Sequence, residues 1–508
     1  MSHISIFGLG RSGLAIARAA KRLGSEAVIY DQAKEESLSK PEILNEVHSL
    51  GFEVVMGWDG VLPAPTEEQS MLVVNPAIDM RSPILSRAKE QGYQVIGEIE
   101  FAYRISKAPI IAITGTNGKS TTTVMTYTCL KHCGIDAVLC GNIFGSGFDE
   151  VPLTEAALNS HEDQILIAEV SSFQLEWVSE FKPAAAGITN IWPDHQERYD
   201  SFEQYAATKH RIFGAQKASE YAVVKANDPA VRPPGTAPRS RSRLRQSAPT
   251  TQPNTPRVLT FGAMGEHARV DDRQLTILDQ SVLLSDLPFR EPHNFTNACM
   301  AGLLAFAALK YQGEHAPGSM AAKVYREAQE FATQKRSAKA NAYTVRQFEA
   351  TKPEFHLPIC IIEGLKQFVG LHHRMEEVGV RDGVKVINNS MCTNPDAILK
   401  STMSLRGPNH VLIGGRNKNL DFRPLRHYFA NKMHHAYVYG EAREQLAEQI
   451  GTELVYEKME DAARAAFAAA RSGEVVMLAP GCASTDQFRD FRHRGDVFKQ
   501  LAKEWLEQ

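Results

Sequence analysis

Cysteine is scarce in this chain. Seven are scattered over 508 residues, and no two form a C-x-x-C pair. That spacing argues against a zinc site and against a disulfide framework, and it points to a reducing, cytoplasmic setting. Long apolar runs are missing too: none approaches the ~20 residues that cross a bilayer, so no membrane span is expected. The opening "MSHISIFGLGRSG" lacks the n-region, h-region and cleavage site of a signal peptide. Nor is there an excess of one charge. The formal net charge is -3, which gives no electrostatic footprint for nucleic acid. What remains is ordinary globular composition, 43% hydrophobic and 23% charged. At this length one core does not suffice, and about two to four domains are expected.

Three stretches alternate strand-like and helix-like patterns. The first, "HISIFGLGRSGLAIARAAKRLGSEAVIYD", places Gly8, Gly10 and Gly13 in G-x-G-x-x-G spacing between a strand and a helix. Asp31 follows about 20 residues on, where an acid can accept from a ribose hydroxyl. Glycines there let the backbone approach a pyrophosphate at a helix N-terminus; a tight turn without ligand is the competing reading. The second, "APIIAITGTNGKSTTTVM", reads as a phosphate loop. Gly115 and Gly118 permit tight turns, and the backbone from Gly115 through Thr116 and Asn117 can surround phosphate oxygens. Lys119 supplies a positive charge, and Ser120 or Thr121 a hydroxyl for Mg²⁺. The common pattern has a glycine where Ile113 stands. The third runs from "VKVINNS" through "HVLIGG" and "HAYVYG" to "EVVMLAPG" and suggests a largely parallel sheet. Between the second and third, Arg232–Arg257 is rich in Pro, Ser, Thr and Arg and reads as a mobile insertion. A basic nucleic-acid-binding tail is its alternative, disfavoured because stacking aromatics are absent. Residues 311–365 read as a solvated surface elaboration.

"TGTNGKST" resembles the phosphate loop of the Mur ligases and their folate-chain relatives, where the departure at Ile113 is the normal form. The resemblance extends through "AEVSSFQLE", "DHQERY", "KHRIF", "HNFTNA", "GLHHRME", "IGGRNKNLDF" and "PGCASTDQFRDFRHRGDVF". It implies an α/β protein of three domains. A Rossmann-like domain over residues 1–105 would hold UDP, a central P-loop ATPase domain over 106–369 would hold ATP, and a C-terminal Rossmann-like domain over 370–508 would hold the amino acid. Domain closure would complete the site. The implied enzyme is a monomeric, cytoplasmic ATP-dependent ligase that forms an amide through an acyl phosphate. Its cofactors would be ATP and two Mg²⁺ ions, and its partners UDP-N-acetylmuramoyl-L-alanine and glutamate, with the D-enantiomer expected.

The resemblance also carries roles to single residues. Lys119, His195 and Lys209 would be catalytic. Gly115, Thr116, Asn117, Gly118, Lys119, Ser120, Thr121, Asn294, Asn297 and Arg374 would bind the nucleotide. Ser120, Glu169, His195 and Lys209 would hold metal, Lys209 as a carbamate. Without the resemblance Lys209 reads as a solvated surface charge. Gly10, Arg11, Ser12 and Asp31 would meet the UDP end, and Asn142, Ser171 and Phe173 the muramoyl substrate. Thr393, Lys418, Ser484 and Phe491 would meet glutamate. One stretch departs: the family's "NDSKATN" reads "NNSMCTN" at Asn388–Asn394. Asn389 and Met391 imply altered contact with the nucleotide ribose and a grip on glutamate weaker by about 1 kcal/mol. Rivals are another Mur or folylpolyglutamate-type ligase, an inactive nucleotide-binding regulator, and an oxidoreductase resting only on "GLGRSG".

Overall fold

A computed structural model describes residues 3–37, 41–65, 71–143, 146–195, 197–234, 255–262, 265–339, 356–405, 407–431 and 433–508. Residues 235–254 of the expected mobile insertion, and 340–355 of the expected surface elaboration, lie outside the described residues.

The chain is α/β and builds three sheets. In the first, β1 (Ile4–Phe7), β2 (Ala27–Asp31), β3 (Glu53–Met56), β4 (Met71–Val74) and β5 (Gln94–Gly97) run parallel in the order β3-β2-β1-β4-β5. The second contains β6 (Ile110–Thr114), β7 (Ala137–Gly141), β8 (Ile165–Glu169), β9 (Ala185–Ile188), β10 (Tyr221–Lys225), β11 (Arg257–Phe261), β12 (Ala268–Val270), β13 (Gln274–Ile277) and β14 (Gln280–Leu283). Its order is β14-β13-β12-β11-β10-β9-β6-β8-β7, parallel except for the antiparallel β12–β14 edge. The third has β15 (Glu376–Arg381), β16 (Val384–Asn388), β17 (Asn409–Gly414), β18 (His434–Tyr439), β19 (Val455–Tyr456) and β20 (Val475–Gly481), in the order β15-β16-β20-β17-β18-β19, with β15 antiparallel.

Central strands such as "ISIF", "IIAIT" and "ILIAE" are buried along their whole length. Continuous apolar runs of this kind suit parallel strands covered on both faces. Successive side chains of β17 feed opposite cores: Val411 and Ile413 pack with Val438 and Met477, while Leu412 packs with Tyr437, Val476 and Leu478. Two compact units divide the chain. One comprises Met1–Ile143 with Asp149–Phe368 and holds the first two sheets; the other comprises Phe144–Phe148 with Val369–Gln508 and holds the third. Among the described residues no helix is long and apolar enough to cross a membrane.

One reading is corrected. Cys133, which caps the helix Lys119–His132, is disulfide-bonded to Cys360 in the helix Ile359–Lys366. The partners are 227 residues apart, so local spacing carried no sign of the pair. The other five cysteines are free and buried. In the loop-entropy limit a cross-link of that span stabilises by about 5 kcal/mol. The protein unfolded without reductant is therefore expected to show five reactive thiols, and reductant should lower its melting temperature. Seven reactive thiols in the unreduced sample would refute the bond.

Candidate active site

Strand β6 ends at Thr114, and the helix Lys119–His132 begins after Gly118. Between them Gly115 has φ +148° and Gly118 φ +83°, backbone that side chains disfavour. Space is lacking as well. A Cβ on Gly115 would lie 1.9 Å from Thr189 Oγ1, and one on Gly118 2.8 Å from Asn297 Oδ1. Ile113 is fully buried and paired with Glu169 of β8 and Gly187 of β9. It is a strand residue, so the turn begins after it and needs no glycine there.

The loop is held from the end of β9. Thr189 Oγ1 and Asn190 Nδ2 donate to the Asn117 carbonyl at 2.6 and 2.9 Å. Asn190 accepts from Asn117 N–H at 3.0 Å through Oδ1, and from Thr116 N–H at 2.9 Å through its carbonyl. Neither Thr189 nor Asn190 lies in a motif that local sequence marks, because their partner Asn117 is 72 and 73 residues away. Lys119 Nζ donates to the Thr116 carbonyl at 3.0 Å, and Ser120 and Thr121 are buried in the first helical turn. Asn297 reaches Gly118 while donating to Asn294 Oδ1 at 3.2 Å; Asn294 donates to Glu291 at 3.1 Å.

Strand β8, beside β6, ends in Glu169. Its side chain is 2% exposed, and Oε2 has no hydrogen-bond partner among the described residues. A buried bare carboxylate oxygen is a costly group that a cation satisfies. The Glu169 carbonyl accepts from Asn142 N–H at 2.8 Å. Lys209 is also buried. Its ammonium donates to the Gly115 carbonyl at 2.9 Å and stands 4.7 Å from the Tyr205 ring centroid. Burial, and then the neighbouring Lys119, push its pKa well below the usual lysine value, against the opposing pull of Asp194 and Glu169. This is a side chain inside the protein, not the solvated charge that its local sequence suggests.

His195 has φ +53°. Its ring lies 4.7 Å from that of Phe173 and 6.2 Å from that of Tyr205, and Nδ1 is 3.2 Å from Glu197. Tyr205, whose hydroxyl is 3.1 Å from Thr116 Oγ1, thus stands among the phosphate loop, Lys209 and His195. Ser171 caps the helix Ser172–Leu175 in a reciprocal box with Gln174, which fixes Phe173 within that turn. Among the described residues no three His, Cys, Asp or Glu side chains group as a metal site.

The first sheet reverses its strand order between β1 and β4, the crevice where open α/β sheets take ligands. Gly10 caps the helix Arg11–Arg22, and a Cβ on it would meet Asn75 Nδ2, after β4, at 3.0 Å. Arg11 pairs with Glu150, and Ser12 is partly exposed beside it. The Asp31 carboxylate accepts from Leu9 N–H at 2.6 Å and Ala33 N–H at 2.8 Å. It braces the glycine loop, a use that the expected ribose contact did not include.

In the other unit, β16, β20 and β17 are neighbours. Thr393, Ser484 and Lys418 follow their respective C-terminal ends. Ser484 is buried and Lys418 exposed. Phe491 begins the helix Phe491–Leu506, and its carbonyl accepts from Ser390 Oγ at 2.7 Å. Sequence analysis missed Arg494. Fully buried, it donates to Ser390 Oγ at 3.1 Å, Ser390 O at 2.9 Å and Cys482 O at 3.1 Å, tying the turns after β16 and β20. Arg374 Nη2 lies 3.5 Å from Met391 Sδ, and Asn389 Oδ1 accepts from Met375 N–H at 3.2 Å.

Profiles of two domain families match the chain: the Mur ligase middle domain over residues 113–305 and the "Mur ligase, glutamate ligase domain" over 373–482. A UDP-N-acetylmuramoylalanine--D-glutamate ligase of Caldanaerobacter subterraneus subsp. tengcongensis is 31% identical over 514 residues, with 98% of this chain and 97% of the relative covered. The chain belongs to the Mur ligase family. A ligase of the same name from Acidobacterium capsulatum is 32% identical over 505 residues, covering 98% and 95%. The fold is that of MurF ligase from Thermotoga maritima in complex with ADP, at a TM-score of 0.54, 15% identity and 98% coverage of both chains. Mur ligases are ATP-dependent amide-bond-forming enzymes, and this chain is a ligase of peptidoglycan precursor synthesis.

The crowding at Gly115 gives a test. Gly115→Ala is expected to lower stability by about 1–3 kcal/mol through backbone strain and to weaken binding of a non-hydrolysable ATP analogue at least tenfold, roughly 1.4 kcal/mol. Thermal melts and calorimetric titration measure the two effects. Wild-type affinity in the variant would show that the loop is no nucleotide cradle.

Proposed function

We propose that this Mur ligase joins D-glutamate to UDP-N-acetylmuramoyl-L-alanine at the expense of ATP, in the cytoplasm and as a monomer. The observation that carries the reading is the full-length match to ligases of that name. It is supported by Thr393, Lys418 and Ser484 following three neighbouring strands inside or beside the segment matched by the glutamate ligase profile. In this reading residues 1–105 take the UDP end, 106–369 take ATP, and 370–508 take glutamate.

A carboxylate does not react with an amine unaided, because its oxygen is a poor leaving group. Transfer of the ATP γ-phosphoryl to the substrate carboxylate makes an acyl phosphate; the glutamate amine then attacks its carbonyl carbon, and phosphate leaves. The chain's share of this is charge and position. Lys119 and the N-terminus of its helix face the phosphoryl charge. The Thr116 and Asn117 N–H groups are taken up by Asn190, so the backbone donors for phosphate are those of Gly118 and the first turn of the helix Lys119–His132. Asn294 and Asn297 serve the nucleotide, and Arg374 its phosphates. Gly10, Arg11, Ser12 and Asp31 serve the UDP end directly or by bracing it. Asn142, Ser171 and Phe173 serve the muramoyl part, and Phe491 the glutamate.

Lys209 acts as its carbamate. Its neutral amine adds to carbon dioxide, forming an N–C bond and releasing one proton, which leaves an anion where the neutral amine stood. Among the described residues no carboxylate forms an ion pair with Lys209; its contacts are the Gly115 carbonyl and the Tyr205 ring. Ser120, Glu169, His195 and the carbamate would hold the two Mg²⁺ ions, which supply charge neutralisation at the phosphoryl oxygens. The orphan oxygen of Glu169 fits that use.

Two measurements test this. ADP release should require both UDP-N-acetylmuramoyl-L-alanine and glutamate, with D preferred over L. Preference for L-glutamate would overturn the stereochemistry, and turnover without the UDP-sugar would overturn the reaction. Lys209→Ala should lose most activity and regain part of it with short carboxylic acids, which restore an anion. An alanine variant with full activity would remove the carbamate from the mechanism.

A further inference from the structure

Three residues after His195 stands an arginine that the reaction as derived does not use. Arg198 is 7% exposed. Its Nε and Nη2 donate to the two carboxylate oxygens of Glu176 at 2.8 and 2.6 Å. The same guanidinium gathers three consecutive carbonyls: Pro76 at 3.1 Å, Ala77 at 3.3 Å and Ile78 at 2.7 Å. Its carbon lies 4.1 Å from the Phe173 ring centroid. The Arg198 N–H, finally, donates to the His195 carbonyl at 2.9 Å.

These partners come from three places. Pro76–Ile78 form the turn after β4, one wall of the crevice in the first sheet. Phe173 and Glu176 lie in and just after the capped turn that follows Glu169. His195 belongs to the loop after β9. Glu176 is itself held firmly, accepting from Tyr199 Oη at 2.8 Å and, at its carbonyl, from Arg211 at 2.6 Å. The turn Pro76–Ile78 directly follows Asn75, whose side chain lies against Gly8 and Gly10. Arg81 adds an outer strap, donating to the Glu197 carbonyl at 3.0 Å. A planar fork with five donors can serve a carboxylate and several carbonyls together; a lysine ammonium has three donors at one point and cannot.

We propose that Arg198 is a positioning residue that couples the nucleotide-sugar crevice of the first sheet to the Phe173–His195 shelf of the reaction centre. The proposal rests on the reading of that crevice as the UDP end. Arg198 touches no substrate. It fixes the height of the Pro76–Ile78 wall relative to His195, so that a UDP-sugar seated at the crevice presents its carboxylate in register with the phosphate loop. Loss of the fork therefore costs affinity for the UDP-sugar and rate together, and spares affinity for glutamate.

The test uses Arg198→Lys in the full-length enzyme. The Michaelis constant for UDP-N-acetylmuramoyl-L-alanine should rise about tenfold with kcat reduced, while that for glutamate stays within about twofold. In hydrogen exchange, UDP alone should slow the amides of 194–199 in the wild type and fail to do so in the variant. Should Arg198→Lys not fold, Glu176→Gln loosens the same guanidinium and is read in the same way. A purely structural arginine would reduce the active fraction and leave every Michaelis constant unchanged. That result, or equal UDP-induced protection in wild type and variant, overturns the proposal. A wild type that ignores UDP altogether would instead overturn the reading of the crevice.

Discussion

The hydroxyl of Thr189 stands where a Cβ on Gly115 would have to be, and the reaction centre is built around that contact. Because Gly115 has no side chain, the end of β9 can close on the phosphate loop and take the Asn117 carbonyl with two donors. With Asn117 held, the loop's open face is preset before any ligand arrives, which is what electrostatic preorganisation requires. The turn also leaves the Gly115 carbonyl within reach of Lys209. A glycine, a threonine and a lysine far apart in the chain are thereby brought together. Ile113 follows from the same constraint: it must stay in β6 to keep β6 between β8 and β9, the two strands that bring Glu169 and Thr189.

Much of this was legible in the chain. Alternating strand-like and helix-like stretches marked the parallel sheets, and glycine turns marked the starts of the helices after β1 and β6. The illegible parts share one physical property: their partners are distant in sequence. Arg198 sits in a polar loop and reads as solvated until Glu176 and the carbonyls of Pro76–Ile78 surround it. Arg494 reads the same way until Ser390 and Cys482 appear. Cys133 and Cys360 have no local sign of each other. Asp31 carries more than its place in a nucleotide fingerprint suggested: its carboxylate also holds the backbone amides of Leu9 and Ala33.

Buried charge is handled in two ways here. Arg494 is satisfied by three oxygens of one small region. Arg198 is paired with a buried carboxylate. Lys209 and Glu169 are less fully satisfied. One has a carbonyl and the Tyr205 ring as its contacts, and the other leaves an oxygen bare. Interiors do not tolerate such groups without a purpose, since each unpaired buried polar atom costs about 1–3 kcal/mol. The less satisfied pair lies beside the phosphate loop, where binding can supply the missing partners; the satisfied arginines lie where only position is needed.

The same bookkeeping bears on Met391. Counting charges along the sequence, a methionine in place of a lysine weakens the hold on an anionic substrate. The fold adds a second charge to the count. Arg374 lies against the Met391 sulfur, a weak acceptor. An ammonium in the sulfur's place would oppose that guanidinium at close range, where like charges near a protein surface repel by about 4 kcal/mol. Asn389 completes the change: it lacks the aspartate's charge yet still accepts from Met375 N–H. One charge of each sign has left the segment together, so its net charge is preserved. The neutral Asn389 and Met391 therefore set a sulfur, and not a second cation, against Arg374.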